Sequence, residues 1–144
     1  MTIRYEKHIT RDMLRAEPET LFVFGDNLER KGLGGQAREM RYEPNAVGIP
    51  TKREPGNWPG AFFDDTPWDA EDYLRARQKD VDRLEAHLRK GGTVVLPEGG
   101  LGTGLADLEN RSPSVWKWLQ ADLAALKALG ELAPPASSTE GEAG

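Results

Sequence analysis

Apolar residues follow two rhythms along this chain. Unbroken short runs, Leu21-Phe22-Val23-Phe24-Gly25, Ala46-Val47-Gly48-Ile49 and Thr93-Val94-Val95-Leu96, have the β-favouring character of buried strands. Between the last two, Leu74, Val81, Leu84 and Leu88 recur at helical spacing on one face. That helix starts at Thr66-Pro67-Trp68-Asp69: a cap, a proline at the first helical position and an acid placed for a capping box. It runs to about Arg89, where Lys90-Gly91-Gly92 ends it. Ser112-Pro113 opens a last helix through Val115, Leu119, Leu123 and Leu126 to about Leu129, with Trp116 and Trp118 near its start. Shorter elements complete the order. Ile3-Arg4-Tyr5 reads as an edge strand, and Arg11 to Arg15 as a helix capped by Thr10 and closed off by Pro18. Gln36 to Met40 favours helix, and the unit that it ends runs to about Tyr42; Pro44-Asn45 makes a turn. There is no internal repeat.

Composition narrows the classes. The 144 residues suit one domain over 1–129, followed by a stretch from 130 to 144 with the polar, proline-rich make-up of a disordered tail. A formal net charge of −5 argues against nonspecific nucleic-acid binding, which needs a basic face. The chain has no cysteine, which removes disulfides, thiolate zinc sites and cysteine nucleophiles together. Its two histidines, His8 and His87, stand in no metal-ligand spacing, and His87 falls beside the apolar helix face as a partly packed surface residue. The acids Asp64, Asp65, Asp69, Glu71 and Asp72 are explained by the positive end of the long helix, so no metal is expected there. No cofactor is expected either. An N-terminus without an apolar core and the lack of any run of membrane-spanning length predict a cytoplasmic protein with no membrane partner. Nothing in the sequence specifies an oligomeric state.

The candidate chemistry lies after the strands. Beyond Gly25 come a polar turn, Asp26-Asn27-Leu28, a charged loop, Glu29-Arg30-Lys31, and the glycine run Gly32-Leu33-Gly34-Gly35 leading into helix. Strand, glycine loop and helix start is how α/β proteins hold a phosphate, with N–H groups and the helix dipole aimed at the anion. A second loop, Gly99-Gly100-Leu101-Gly102-Thr103-Gly104, follows the third apolar strand; its glycines let the backbone approach a ligand and Thr103 adds a hydroxyl. Ligands of open α/β sheets bind beyond the strand C-termini, so the two loops can converge on one diphosphate. Neither run continues into Gly-Lys-Ser/Thr, which argues against Walker-type ATPase chemistry. From Arg53 to Asp65 the chain is irregular. Its Trp58, Phe62 and Phe63 are expected either to cover the core or to form an aromatic wall for a planar ligand.

The two loops together resemble those of the macro domain, the α/β/α module that binds ADP-ribose. The resemblance rests on Phe24-Gly25-Asp26-Asn27-Leu28 followed by Gly34-Gly35-Gln36-Ala37, and on Leu96-Pro97-Glu98 followed by Gly99 to Gly104. It covers Leu21–Ala37 and Val94–Gly104, with Glu29-Arg30-Lys31 inserted in the first loop. It implies a small three-layer α/β/α fold with a mixed sheet and helices on both faces, of the compact type found in small bacterial and phage proteins. It also implies ADP-ribose or a related nucleotide as ligand. The ligand-binding positions are then Gly25, Gly34, Gly35, Thr51, Gly99, Gly100, Leu101, Gly102, Thr103 and Gly104. If a glycosidic bond to ADP-ribose is hydrolysed, Asn27 would orient a ribose hydroxyl and Asp26 would accept a proton or hold water; the alternative for both is turn chemistry. Lys52, just past Ile49-Pro50-Thr51, would pair with a phosphate or attack as an amine, with Arg53 either as the nearby cation that lowers its pKa or as the phosphate partner itself; the alternative for Lys52 is a surface lysine. Two further classes stay open. Gly99 to Thr103 is similar to the PGGxGT loop of nucleoside-monophosphate phosphoribohydrolases, although Ala106 stands where that family has glutamate. The chain would otherwise be a non-catalytic binding or interaction module.

Overall fold

The computed structural model describes residues 3–132. Four strands, β1 (Ile3–Glu6), β2 (Leu21–Asn27), β3 (Ala46–Lys52) and β4 (Val94–Pro97), form one sheet in the order β1-β4-β2-β3. The fold class is α/β in three layers, as expected. Within the sheet every pairing is parallel, where a mixed sheet was anticipated. The reason lies in the connections: each successive pair of strands is joined through a helix, which returns the chain to the same end of the sheet.

Helices α1 (Arg11–Ala16) and α2 (Ala37–Met40) cover one face, where Leu14, Ala37 and Met40 bury Phe22, Phe24 and Val95. Helices α3 (Pro67–Arg89) and α5 (Pro113–Leu132) cover the other, packing Tyr73, Leu84, Leu88, Leu119 and Leu126 on Val23, Val47, Val94 and Leu96. The expected caps are formed: Thr10 accepts from the N–H of Met13 at 3.3 Å, Thr66 from that of Asp69 at 3.2 Å, and Ser112 from that of Val115 at 3.4 Å.

Local differences from the sequence reading have local causes. Strand β2 continues through Asp26 and Asn27, which therefore do not form a turn. A one-turn helix, α4 (Leu108–Arg111), precedes α5 and is anchored by the fully buried Leu108. Helix α5 runs on through Gly130 to Leu132, three residues into the expected tail, whose remainder lies outside the described residues. Phe62 and Phe63 are buried, and Phe63 meets Tyr73 edge-on with ring centroids 6.5 Å apart. Trp58 stays 52 % exposed, so two of the three loop aromatics serve the core.

Connections leave the C-terminal ends of neighbouring strands toward opposite faces. After β2 the chain turns to α2 on one side; after β4 it turns to α4 and α5 on the other. Strands β2 and β4 pair only at Leu21↔Val94 and Phe22↔Val95, while β4 stays on β1 through Pro97. The splay beyond Val95 opens a crevice at this topological switch point.

Candidate functional site

A cleft of about 620 Å³ occupies that crevice. Its walls are the end of β2 (Gly25, Asp26, Asn27), the first glycine loop (Gly32, Gly34, Gly35), the end of β3 (Thr51, Lys52) and the second glycine loop (Gly102, Gly104). Pro55, Gly56 and Asn57 close one side, so the irregular segment contributes its chain rather than its aromatic rings. Ala106 also lines the cleft, leaving no carboxylate at the position where a phosphoribohydrolase would carry one.

The cleft is held open by a buried charge network. Asp26, 6 % exposed, accepts from Arg41 at 2.5 and 3.2 Å and from the N–H of Asn27 at 2.8 Å. Arg41 in turn donates to the carbonyls of Gly32 at 2.7 Å and Lys31 at 3.1 Å, which pins the glycine loop to the strand. Asn27 braces the same loop from its own side chain. Its amide donates to the Lys31 carbonyl at 2.8 Å, and its amide oxygen accepts from the Lys31 N–H at 3.4 Å. Arg30, in left-handed backbone at φ 59°, reaches under β3 to the Gly48 carbonyl at 2.6 Å and to Asp80 on α3 at 2.7 Å. Burial raises the Asp80 pKa, and the Arg30 guanidinium opposes that rise. The inserted Glu29-Arg30-Lys31 is thus a tether through Arg30, not a solvated excursion.

A bulge shapes the opposite wall. Asp26 pairs with Pro50 and Asn27 with Lys52, so Thr51 is the extra residue; its hydroxyl donates to the Asp26 carbonyl at 3.3 Å. Lys52 lies over the Phe62 ring, 5.0 Å from its centroid, and its ammonium donates to the Gly56 carbonyl. Burial lowers its pKa, and Arg111 adds to the effect. Arg53, expected as that neighbouring cation, is instead paired with the buried Asp69, so the cation comes from α4.

The second glycine loop divides its residues. Gly100 and Gly102, at φ 88° and 73°, wind the chain so that Leu101 is buried in the core. Gly99 is not among the residues that line the cleft. Gly100 and Leu101 border a separate groove of about 250 Å³ beside β1 and α5. The Thr103 hydroxyl donates to the Gly99 carbonyl at 2.9 Å, so it stiffens the loop. Among the described residues, the N–H groups of Gly34, Gly35 and Gln36, and those of Gly102 to Ala106, meet no protein acceptor. A Cβ built on Gly34, Gly35 or Gly104 would meet nothing within 4 Å, which places those positions against open space. Helix α2 is a single turn without a side-chain cap, so its dipole adds little and the free N–H groups are the main donors.

Residues 4–122 match the model of a family of unknown function, DUF7831. The chain belongs to this family. No curated protein and no solved structure matches it. The DUF7831 match spans β1 to the middle of α5 and thereby every wall of the cleft. Arg41, Arg30 and Gly48 were not legible as site residues, although one signal was present: an aspartate inside an apolar strand needs a buried partner. Among the described residues no group of three or more His, Asp or Glu is placed to hold a metal, and no helix is long and apolar enough to cross a membrane.

Proposed function

We propose that the cleft binds ADP-ribose or a related nucleotide diphosphate between the two glycine-rich loops. The observation that carries this reading is that residues of both loops whose N–H groups meet no acceptor among the described residues, Gly34 to Gln36 and Gly104 to Ala106 among them, line one cavity of about 620 Å³. A diphosphate offers only acceptors, and ionised acceptors give backbone N–H groups their strongest hydrogen bonds. The side-chain charges agree. Among the described residues Lys31 and Lys52 line the cleft without a salt bridge, and the one carboxylate there, Asp26, is neutralised by Arg41. The cavity is also of ordinary size for a small-molecule site.

Hydrolysis of an ADP-ribosyl linkage is a further step in the same reading, with the ligand held while water attacks the anomeric carbon. In it Asn27 and Asp26 shape the ribose end through the loop they fix, and Lys52 is the group with a lowered pKa. A non-catalytic reader is the second reading. It is favoured by the occupancy of Asp26 and Asn27, whose polar atoms are already engaged within the protein. Cytoplasmic residence belongs to the same proposal.

Thermal shift and calorimetry with ADP-ribose test binding. A hundredfold excess over Kd stabilises the fold by about 2.7 kcal/mol; a Tm unmoved at millimolar ligand overturns the proposal. Gly34→Val and Gly104→Val add bulk to open space at ordinary φ, so both should fold as well as the parent and lose ADP-ribose. Gly102→Val should instead lose stability, because its φ is 73° and a Cβ there meets Leu108 at 3.0 Å. Release of free ADP-ribose from a modified substrate, abolished in Lys52→Ala, would distinguish the hydrolase from the reader.

A further inference from the structure

Two cations share one buried ring at the edge of the cleft. The Arg111 guanidinium carbon stands 3.7 Å from the centroid of Phe62, and the Lys52 ammonium 5.0 Å from it. They arrive from distant parts of the chain, the end of β3 and the last residue of α4. Neither forms a salt bridge among the described residues. Two buried acids are committed elsewhere: Asp69 to Arg53 and to the N–H of Asp64, and Asp26 to Arg41. The Lys52 ammonium has one hydrogen bond, to the Gly56 carbonyl, and among the described residues the Arg111 side chain has none. The ring attracts both cations yet does not neutralise either. Like charges gathered without a counter-ion repel, and the lowered pKa of Lys52 registers burial and that repulsion together. A chain with a formal net charge of −5 has carboxylates to spare, so the uncompensated pair is a local feature rather than a result of composition.

We propose that Lys52 and Arg111, gathered at the Phe62 ring, form an oxyanion subsite for a phosphomonoester. A doubly charged phosphate monoester matches two positive charges, and a guanidinium fork suits its oxygens. Because Lys52 also lines the cleft, the subsite gives the ligand a second anionic group beyond the diphosphate assigned to the loops. This assignment rests on the cleft being a ligand site.

The test is a titration of the ¹⁵N-labelled full chain with methyl phosphate, followed by NMR at the Arg111 Nε–H and the backbone amides. Saturable shifts are expected at Arg111 and at the amides of Gly56 and Phe62. Arg111→Gln and Lys52→Gln should each weaken the remaining shifts about tenfold or more, the loss of one charge-assisted contact. Arg111 is exposed, so its variant should retain the parent spectrum elsewhere. Acetate, a single charge, should bind more weakly; an equal response to acetate overturns the phosphomonoester assignment. Shifts confined to the glycine-loop amides, or unchanged in both variants, overturn the subsite and leave the cleft reading standing. Shifts at Arg111 in a protein that ignores ADP-ribose support the subsite and overturn the cleft reading.

Discussion

Asp26 is charged, buried and set in a strand whose preceding residues are apolar, so its tolerance depends on the groups around it. Arg41 supplies two hydrogen bonds, Asn27 supplies its N–H, and Gly48 supplies the room: a Cβ there would fall 2.6 Å from the carboxylate. Breaking a buried pair leaves an uncompensated charge, which typically costs about 3–5 kcal/mol. Asp26→Ala should therefore lower the unfolding free energy by that order, seen as a lower urea midpoint, and loosen the Gly32–Gly35 loop. Asp26→Leu combined with Arg41→Met should regain most of the loss, because neither charge is then stranded. Urea denaturation of the three proteins checks both statements. Recovery absent in the double variant would mean that the loop depends on the charges themselves. At this scale the sequence was readable for residue types and silent on partners: Asp26 and Arg41 are joined only after β2, the glycine loop and α2 have folded.

Helices α3 and α5 lie side by side, joined by Tyr73, whose hydroxyl donates to Asp122 at 2.8 Å, and by Arg77, which donates to the same carboxylate at 2.9 Å. Burial and the Asp122 charge hold the Tyr73 phenol above its ordinary pKa. Removing one hydrogen bond to a charged group costs about 1.5–3 kcal/mol, so Tyr73→Phe should destabilise by that amount without moving ADP-ribose affinity. Near the end of α3, His87 is part-buried against Gly92, and among the described residues its Nε2 has no hydrogen-bond partner. Burial, with Lys90 beside it, lowers its pKa below the ordinary value of about 6.5. The unfolded chain then takes up the proton first, so stability should fall as pH drops below about 6.5 and level off below the folded-state pKa. His87→Gln should remove that part of the pH dependence, measured as the urea midpoint between neutral and mildly acidic buffer. Helical periodicity and the Thr66-Pro67 and Ser112-Pro113 caps made both long helices legible. Helix α4 was not, since four residues carry no period and its formation depends on Leu108 reaching the core.

The molecule is lopsided. Among the described residues the α3–α5 face gathers sixteen buried core residues and the α1–α2 face seven, with α1 six and α2 four residues long. Fewer buried contacts mean cheaper local opening, so amides of α1 and α2 should exchange with solvent at lower free energy than those of α3 and α5. Hydrogen exchange under native conditions checks this; uniform protection across both faces would contradict it. A ligand in the cleft should raise the α2 side selectively, since Gln36 and Ala37 line the cavity. What the sequence alone determined was the alternation of strands and helices, their caps and the two glycine loops at strand ends. Those are encoded by near neighbours, through hydrophobic period, backbone freedom and local hydrogen bonds. Only the tertiary structure decided the strand order β1-β4-β2-β3, the splay of β4 from β2 and which loop residues face the cleft. It alone set Arg41 on Asp26, Arg30 on Asp80 and Arg111 beside Lys52. Charges far apart in sequence meet only when the elements carrying them pack, and a single sequence does not encode that distance.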